Sequence, residues 1–194
     1  MNRADDTLPE VTDWLSRVVF LNHPSWWDPM LGLVMATHFM PTRRHYALID
    51  AAMLEKYAIF KKLGFIGLDL ESARGARRFV EVGRAVMQTP NATLWFTAQG
   101  EFTDVRERPT VLRPGIGHLA RASEGAAFVP LALEYAFWDQ RYPEALARFG
   151  PAEVIEHGRA ERAGHWTDAL SAKLESQLDL LAADAIRRDP ARFE

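Results

Sequence analysis

At 194 residues the chain is long enough for one domain with a full hydrophobic core. Its apolar fraction of 48% and charged fraction of 25% are those of an ordinary globular protein, and a net charge of -3 provides no basic field for nucleic acid, so no nucleic-acid partner is expected. The absence of cysteine removes disulfides, thiolate nucleophiles and cysteine-bound zinc together.

Residues 1–10 are polar and acidic, without the charged-then-apolar order of a secretory leader. No stretch reaches the roughly 18 apolar residues of a spanning helix. The expected location is cytoplasmic, with any membrane contact peripheral and on the inner face. The whole of 1–194 reads as a single domain, with residues 1–16 as a lead-in.

In chain order, the branched apolar run Arg17–Leu21 predicts a buried strand ending at Asn22. Helix is predicted over 29–39, strand over 45–49, helix over 53–63, and strand over 65–70 after the break at Gly64. Ser72 caps a helix running to about Gln88, whose Phe79, Val82 and Val86 share one face. A turn at Pro90-Asn91 leads to a strand over 92–97. Residues 100–114 read as polar loop, 117–122 as a short helix and 127–135 as a strand. Residues 149–155 form one or two edge strands interrupted at Gly150-Pro151. From 160 to 188, apolar residues recur every three or four positions and predict one long amphipathic helix. Strands alternating with helices give an α/β fold: one mostly parallel mixed sheet flanked by helices. In such sheets chemistry gathers in loops beyond the carboxyl ends of the strands, here 22–28, 69–74 and 99–108.

The first of these loops reads Asn22-His23-Pro24-Ser25-Trp26-Trp27-Asp28. An imidazole acting as general base must be neutral and held in one tautomer, which a carboxylate on its other ring nitrogen achieves. On a continuous helix, positions five apart diverge by about 140°. His23 and Asp28 therefore meet only if the chain turns between them, and Pro24 and Ser25 favour a turn there. Ser25-x-x-Asp28 fits a helix-capping box equally well, and Asp28-Pro29 a helix start. The same spacing recurs at His45 and Asp50, but within a predicted strand, where residues five apart face opposite sides.

Asn-His-x-Ser-x-x-Asp directly after an apolar strand resembles the first motif of the glycerolipid and lysophospholipid acyltransferase family, the 1-acylglycerol-3-phosphate acyltransferase-like enzymes. Gly64-Phe-Ile-Gly-Leu-Asp69 resembles the family's second block, Trp95-Phe-Thr-Ala-Gln-Gly-Glu101 its third and Val129-Pro-Leu131 its fourth, in the family's order over residues 17–135. The resemblance implies a glycerol-3-phosphate acyltransferase-like fold. It implies an O-acyltransferase with His23 as base and Asp28 as its partner. The donor is an acyl-CoA or acyl carrier protein, the acceptor a lipid alcohol, and neither a metal nor a further cofactor is expected. Asn22, Ser25 and Asp69 are expected to support the site; Gln99, Gly100, Glu101, Arg106 and Arg108 are expected to bind the acceptor.

The chain departs from the family where arginines close the second and third blocks; Leu70 and Phe102 stand there. Those arginines resemble a phosphate clamp, for which a guanidinium fork is suited. Two expectations follow. The preferred acceptor carries no phosphate and is a glycolipid sugar hydroxyl or another lipid alcohol; alternatively, Arg106, Arg108 or Arg74 replaces the clamp for lysophosphatidate. A non-catalytic lipid-binding member of the same fold is the third reading. Trp26, Trp27, Met53, Tyr57, Ile59 and Phe60, beside Lys56, Lys61 and Lys62, suit either a membrane-facing surface or a core under snorkelling lysines.

Overall fold

The structure, a computed structural model, describes residues 15–69, 71–139 and 141–193. Of the expected lead-in, residues 1–14 therefore lie outside the described residues. The chain folds as a single α/β domain around one seven-stranded, mostly parallel sheet. Its elements are β1 (Arg17–Leu21), α1 (Asp28–Phe39), β2 (Arg44–Asp50), α2 (Ala51–Lys56), α3 (Ala58–Lys62), β3 (Phe65–Leu68), α4 (Ala73–Met87), β4 (Ala92–Thr97), α5 (Gly115–Arg121), β5 (Ala126–Ala136), β6 (Glu144–Phe149), β7 (Glu153–Ile155) and α6 (Ala163–Arg187). The strand order is β3-β2-β4-β1-β5-β6, and β7 also pairs with β5. The first five strands run parallel and the last two antiparallel.

β1 lies at the centre, between β4 and β5, and all five of its residues are buried. A strand covered on both faces needs an unbroken apolar run rather than alternation, as Val18 to Leu21 supply. Its side chains divide by period two. Val18 and Phe20 join a core with Val86 of α4, Ile116 and Leu119 of α5, and Leu170 and Leu174 of α6. Val19 and Leu21 join a smaller core with Met35, Ala36 and Met40 around α1. Three helices thus cover one face; on the other α1 forms the smaller core, while α2 and α3 pack farther out against β3, Leu54 by Gly67 and Phe60 on Phe65.

Pro130 stands inside β5 opposite Phe20, although proline cannot donate to a ladder. On its other side β6 ends at Phe149 opposite Leu131 and β7 begins at Glu153 opposite Phe128. Pro130 falls in the gap between them, where its carbonyl accepts from the Gly150 N–H at 2.8 Å. The Gly150-Pro151 interruption expected in the sequence is this gap; β6, however, starts five residues earlier than the reading from 149.

The expected helix over 53–63 is corrected to two short helices hinged at Tyr57, whose φ of -120° and ψ of 85° are not helical. Asp50 starts the first by accepting from the N–H groups of Ala52 and Met53. The long C-terminal helix begins at Ala163 rather than 160, because Gly158–Ala160 forms a short 3-10 turn.

Candidate active site

β1 ends at Leu21, and the chain is held there from both sides. Ala98 N–H donates to the Leu21 carbonyl at 2.9 Å. The buried Asn22 amide donates to the Leu133 carbonyl and accepts from the Leu133 N–H, both at 2.8 Å. His23 N–H donates to Gln99 Oε1 at 3.0 Å, and the His23 carbonyl accepts from Thr103 N–H at 3.1 Å. The histidine backbone is thus fixed by β5 on one side and by the loop after β4 on the other.

Beyond His23 the chain turns. Asp28 N–H donates to the Ser25 carbonyl, Trp27 N–H to Ser25 Oγ, and α1 begins. The turn returns Asp28 to His23: His23 Nδ1 lies 2.6 Å from Asp28 Oδ2. The same oxygen accepts from Ser25 N–H at 3.2 Å. The capping box that the sequence equally allowed does not form: the helix N-cap is Trp27, without a side-chain cap bond, and Asp28 is its first residue. Asp28 is 1% exposed, and its other oxygen accepts from the Tyr135 hydroxyl at 2.8 Å.

A carboxylate at Nδ1 places the imidazole proton there and leaves Nε2 with its lone pair. His23 remains partly exposed and lines a cavity of about 1330 Å³. Its walls are largely apolar, among them Met30 and Leu33 of α1, Ile49 of β2, Met53 of α2 and Phe60 of α3. Phe102 packs its ring on His23, centroids 4.2 Å apart. An imidazole whose Nδ1 is held by a carboxylate, on the wall of an apolar cavity of this size, can take a proton from a hydroxyl, while the cavity lodges an alkyl chain.

The second histidine–aspartate spacing leads nowhere of this kind. His45 Nδ1 accepts from the Trp95 indole N–H at 3.1 Å and Nε2 faces the Met40 carbonyl at 2.9 Å, while Asp50 caps α2. Burial, with a smaller contribution from the Arg43 charge, lowers the His45 pKa against the opposing Met40 bond. With both nitrogens engaged, His45 is a packed neutral histidine. Among the described residues no group of three or more histidine, aspartate or glutamate side chains gathers as a metal set.

The acceptor residues expected from the sequence divide. Gly100 and Glu101 line the cavity with His23. Gln99 does not, and its carbonyl oxygen instead braces the histidine backbone. Arg106 curls back onto Asp104, at 2.6 Å, and Arg108 reaches Asp179 on α6, also at 2.6 Å; neither lines the cavity. Arg74, the other candidate, also stands outside it. Asp69 accepts from Glu71 N–H in a local turn and does not reach the pair, and Leu70 lies outside the described residues.

Two residues escaped the sequence reading. Tyr135 bonds Asp28 across 107 positions. Arg113 lines the cavity beside Gly100 and pairs with exposed Glu71 at 3.3 Å. Gly100 has φ +73°, and a Cβ there would fall 2.2 Å from Arg113 Nε. Gly100→Ala is expected to strain the left-handed backbone by roughly 1–2 kcal/mol and to displace Arg113. Urea unfolding measures the loss, and wild-type stability in the variant would refute it.

The edge carrying Trp26 (58% exposed), Trp27, Tyr57 and Ile59 is an open apolar surface flanked by exposed Lys56, Lys61 and Lys62, whereas Phe60 is buried. The expected core arrangement holds for Phe60 and not for the others. Among the described residues no helix is long and apolar enough to cross a membrane. No family model matches the chain, and no curated protein matches it significantly.

Proposed function

We propose that the chain is an O-acyltransferase moving an acyl group from a thioester to a lipid alcohol, with His23 as general base. The observation that carries this reading is the 2.6 Å bond from His23 Nδ1 to buried Asp28, which leaves Nε2 available on a histidine that lines the apolar cavity. Nε2 takes the acceptor's hydroxyl proton as its oxygen attacks the thioester carbonyl. The tetrahedral intermediate collapses, the carbon–sulfur bond breaks, and the imidazolium returns the proton to the departing thiolate. Ester and thiol are the products, and the transfer is direct because the chain has no cysteine to carry an acyl group and no Gly-x-Ser-x-Gly elbow.

An acceptor without phosphate is the preferred reading. Phe102 covers the imidazole, and Arg106 and Arg108 are turned to acidic partners away from the cavity. Arg113 is the observation favouring the second reading, an anionic acceptor such as lysophosphatidate, since it lines the same space beside Gly100, as Arg77, Arg121 and Arg159 also line it. The exposed tryptophans and lysines at the α1–α3 edge support peripheral contact with a lipid surface, from which both chains would enter.

Thiol release is measurable with a thiol reagent against a silent background, since the protein has no cysteine of its own. With acyl-CoA or acyl carrier protein as donor, thiol release is expected to depend on an added lipid alcohol and to yield its ester by mass spectrometry. Unphosphorylated glycolipid is expected to outrun lysophosphatidate. Strong turnover of lysophosphatidate would transfer the acceptor role to Arg113, and silence with every thioester would end the enzymatic reading.

A further inference from the structure

The chemistry just described makes no use of Tyr135, yet this residue is built into the pair. β5 has 11 residues where its neighbour β1 has 5. With Leu21 paired to Leu131, the last residues of β5 overhang the end of β1 and reach the first turn of α1. There the Tyr135 hydroxyl donates to Asp28 Oδ1 at 2.8 Å. The two carboxylate oxygens are thus divided: Oδ1 takes the phenol, and Oδ2 takes Ser25 N–H and His23 Nδ1–H. At 1% exposure Asp28 has no bulk water to replace a missing donor.

The phenol can play only one part. Burial first, then the charge of Asp28 and the bond to it, raise the Tyr135 pKa far above the ordinary tyrosine value. Across any working pH the group stays an O–H and donates; it does not shuttle protons.

We infer that Tyr135 is a positioning residue: its bond to Oδ1 fixes the rotation of the Asp28 carboxylate, keeps Oδ2 on His23 Nδ1, and by engaging the other oxygen leaves the shared proton on the imidazole. A carboxylate freed of that donor draws harder on the Nδ1 proton and can rotate about its terminal torsion, which is intrinsically broad. The rotation misplaces the Nε2 lone pair. The consequence for turnover rests on the acyl-transfer reading; the consequence for the Nδ1 proton does not.

Tyr135→Phe removes one oxygen and keeps the ring, so the packing is retained. It is expected to lower kcat roughly five- to tenfold, the scale of one net hydrogen bond, with KM for donor and acceptor unchanged. In proton NMR, the His23 Nδ1–H resonance is expected to shift, because the carboxylate that accepts its proton is both more basic and free to turn. In an Asp28→Asn background the same substitution is expected to change residual activity less than about twofold, because coupled residues are non-additive. An unmoved resonance, or an equal loss in both backgrounds, would overturn the inference. If the wild type turned over no thioester, the acyl-transfer reading would fall while the resonance still decided the role of Tyr135.

Discussion

His23→Ala is expected to reduce acyl transfer roughly 10²–10⁴-fold, the range by which a positioned acid–base group contributes. The fold is expected to survive, because the imidazole is 18% exposed and belongs to neither hydrophobic core. Asp28→Asn tests the other half of the pair. An asparagine offers an acceptor on one atom only, so it cannot accept from Tyr135 at one atom and from His23 and Ser25 at the other. It therefore turns the imidazole or selects the wrong tautomer, and a loss approaching that of the histidine variant is expected. Since the two act as a unit, the double variant should be scarcely slower than His23→Ala alone. The measurement is thiol release at saturating donor and acceptor, with circular dichroism melting as the check on folding. Near-wild-type turnover in the alanine variant would dismiss His23 as the base.

The largest effect on stability is expected at Asn22. Its amide spans the end of the β1–β5 ladder, where it serves the carbonyl and the N–H of Leu133 as a further strand residue would. Leu133 is fully buried, so Asn22→Ala leaves two main-chain groups without partner or water. At about 1–3 kcal/mol for each unsatisfied group, the loss is about 2–6 kcal/mol, a large share of the roughly 5–15 kcal/mol that holds a domain folded. For a chain of this size that corresponds to a fall in Tm on the order of 10 °C. Chemical denaturation with an unchanged m-value measures it. A variant as stable as the wild type would mean that the strand ends hold their register by other contacts.

The sequence made the centre of the fold readable because burial on two faces leaves a plain mark: the four-residue apolar run Val18–Leu21 in β1, and apolar residues every third or fourth position for α6. The His23–Asp28 pair was equally local. Pro24 and Ser25 lie between the two, and the bend they favour is the bend observed. What lay beyond reach depended on strand register. Nothing near Tyr135 indicates Asp28; the contact exists because β5 outruns β1 at a particular alignment. Arg106 and Arg108 misled for the opposite reason. A loop arginine bonds the nearest available carboxylate, and Asp104 and Asp179 were nearer than the cavity. The break at Tyr57 carries no glycine or proline, so the apolar periodicity runs through it unmarked.

The gap in the helical cover of one sheet face has a further consequence. Against the other face α4, α5 and α6 pack a continuous core; on this one α1 packs over the centre and α2 and α3 over β3, and Ala47 and Ile49 of β2 line the open space of the cavity. A well-packed interior does not leave such a void without cost, because its lining atoms forgo dispersion contacts. Larger side chains at those positions would tighten the domain and raise its resistance to heat, while filling the room that a substrate would occupy. Selection for robustness and selection for ligand capacity therefore pull on the same lining residues in opposite directions.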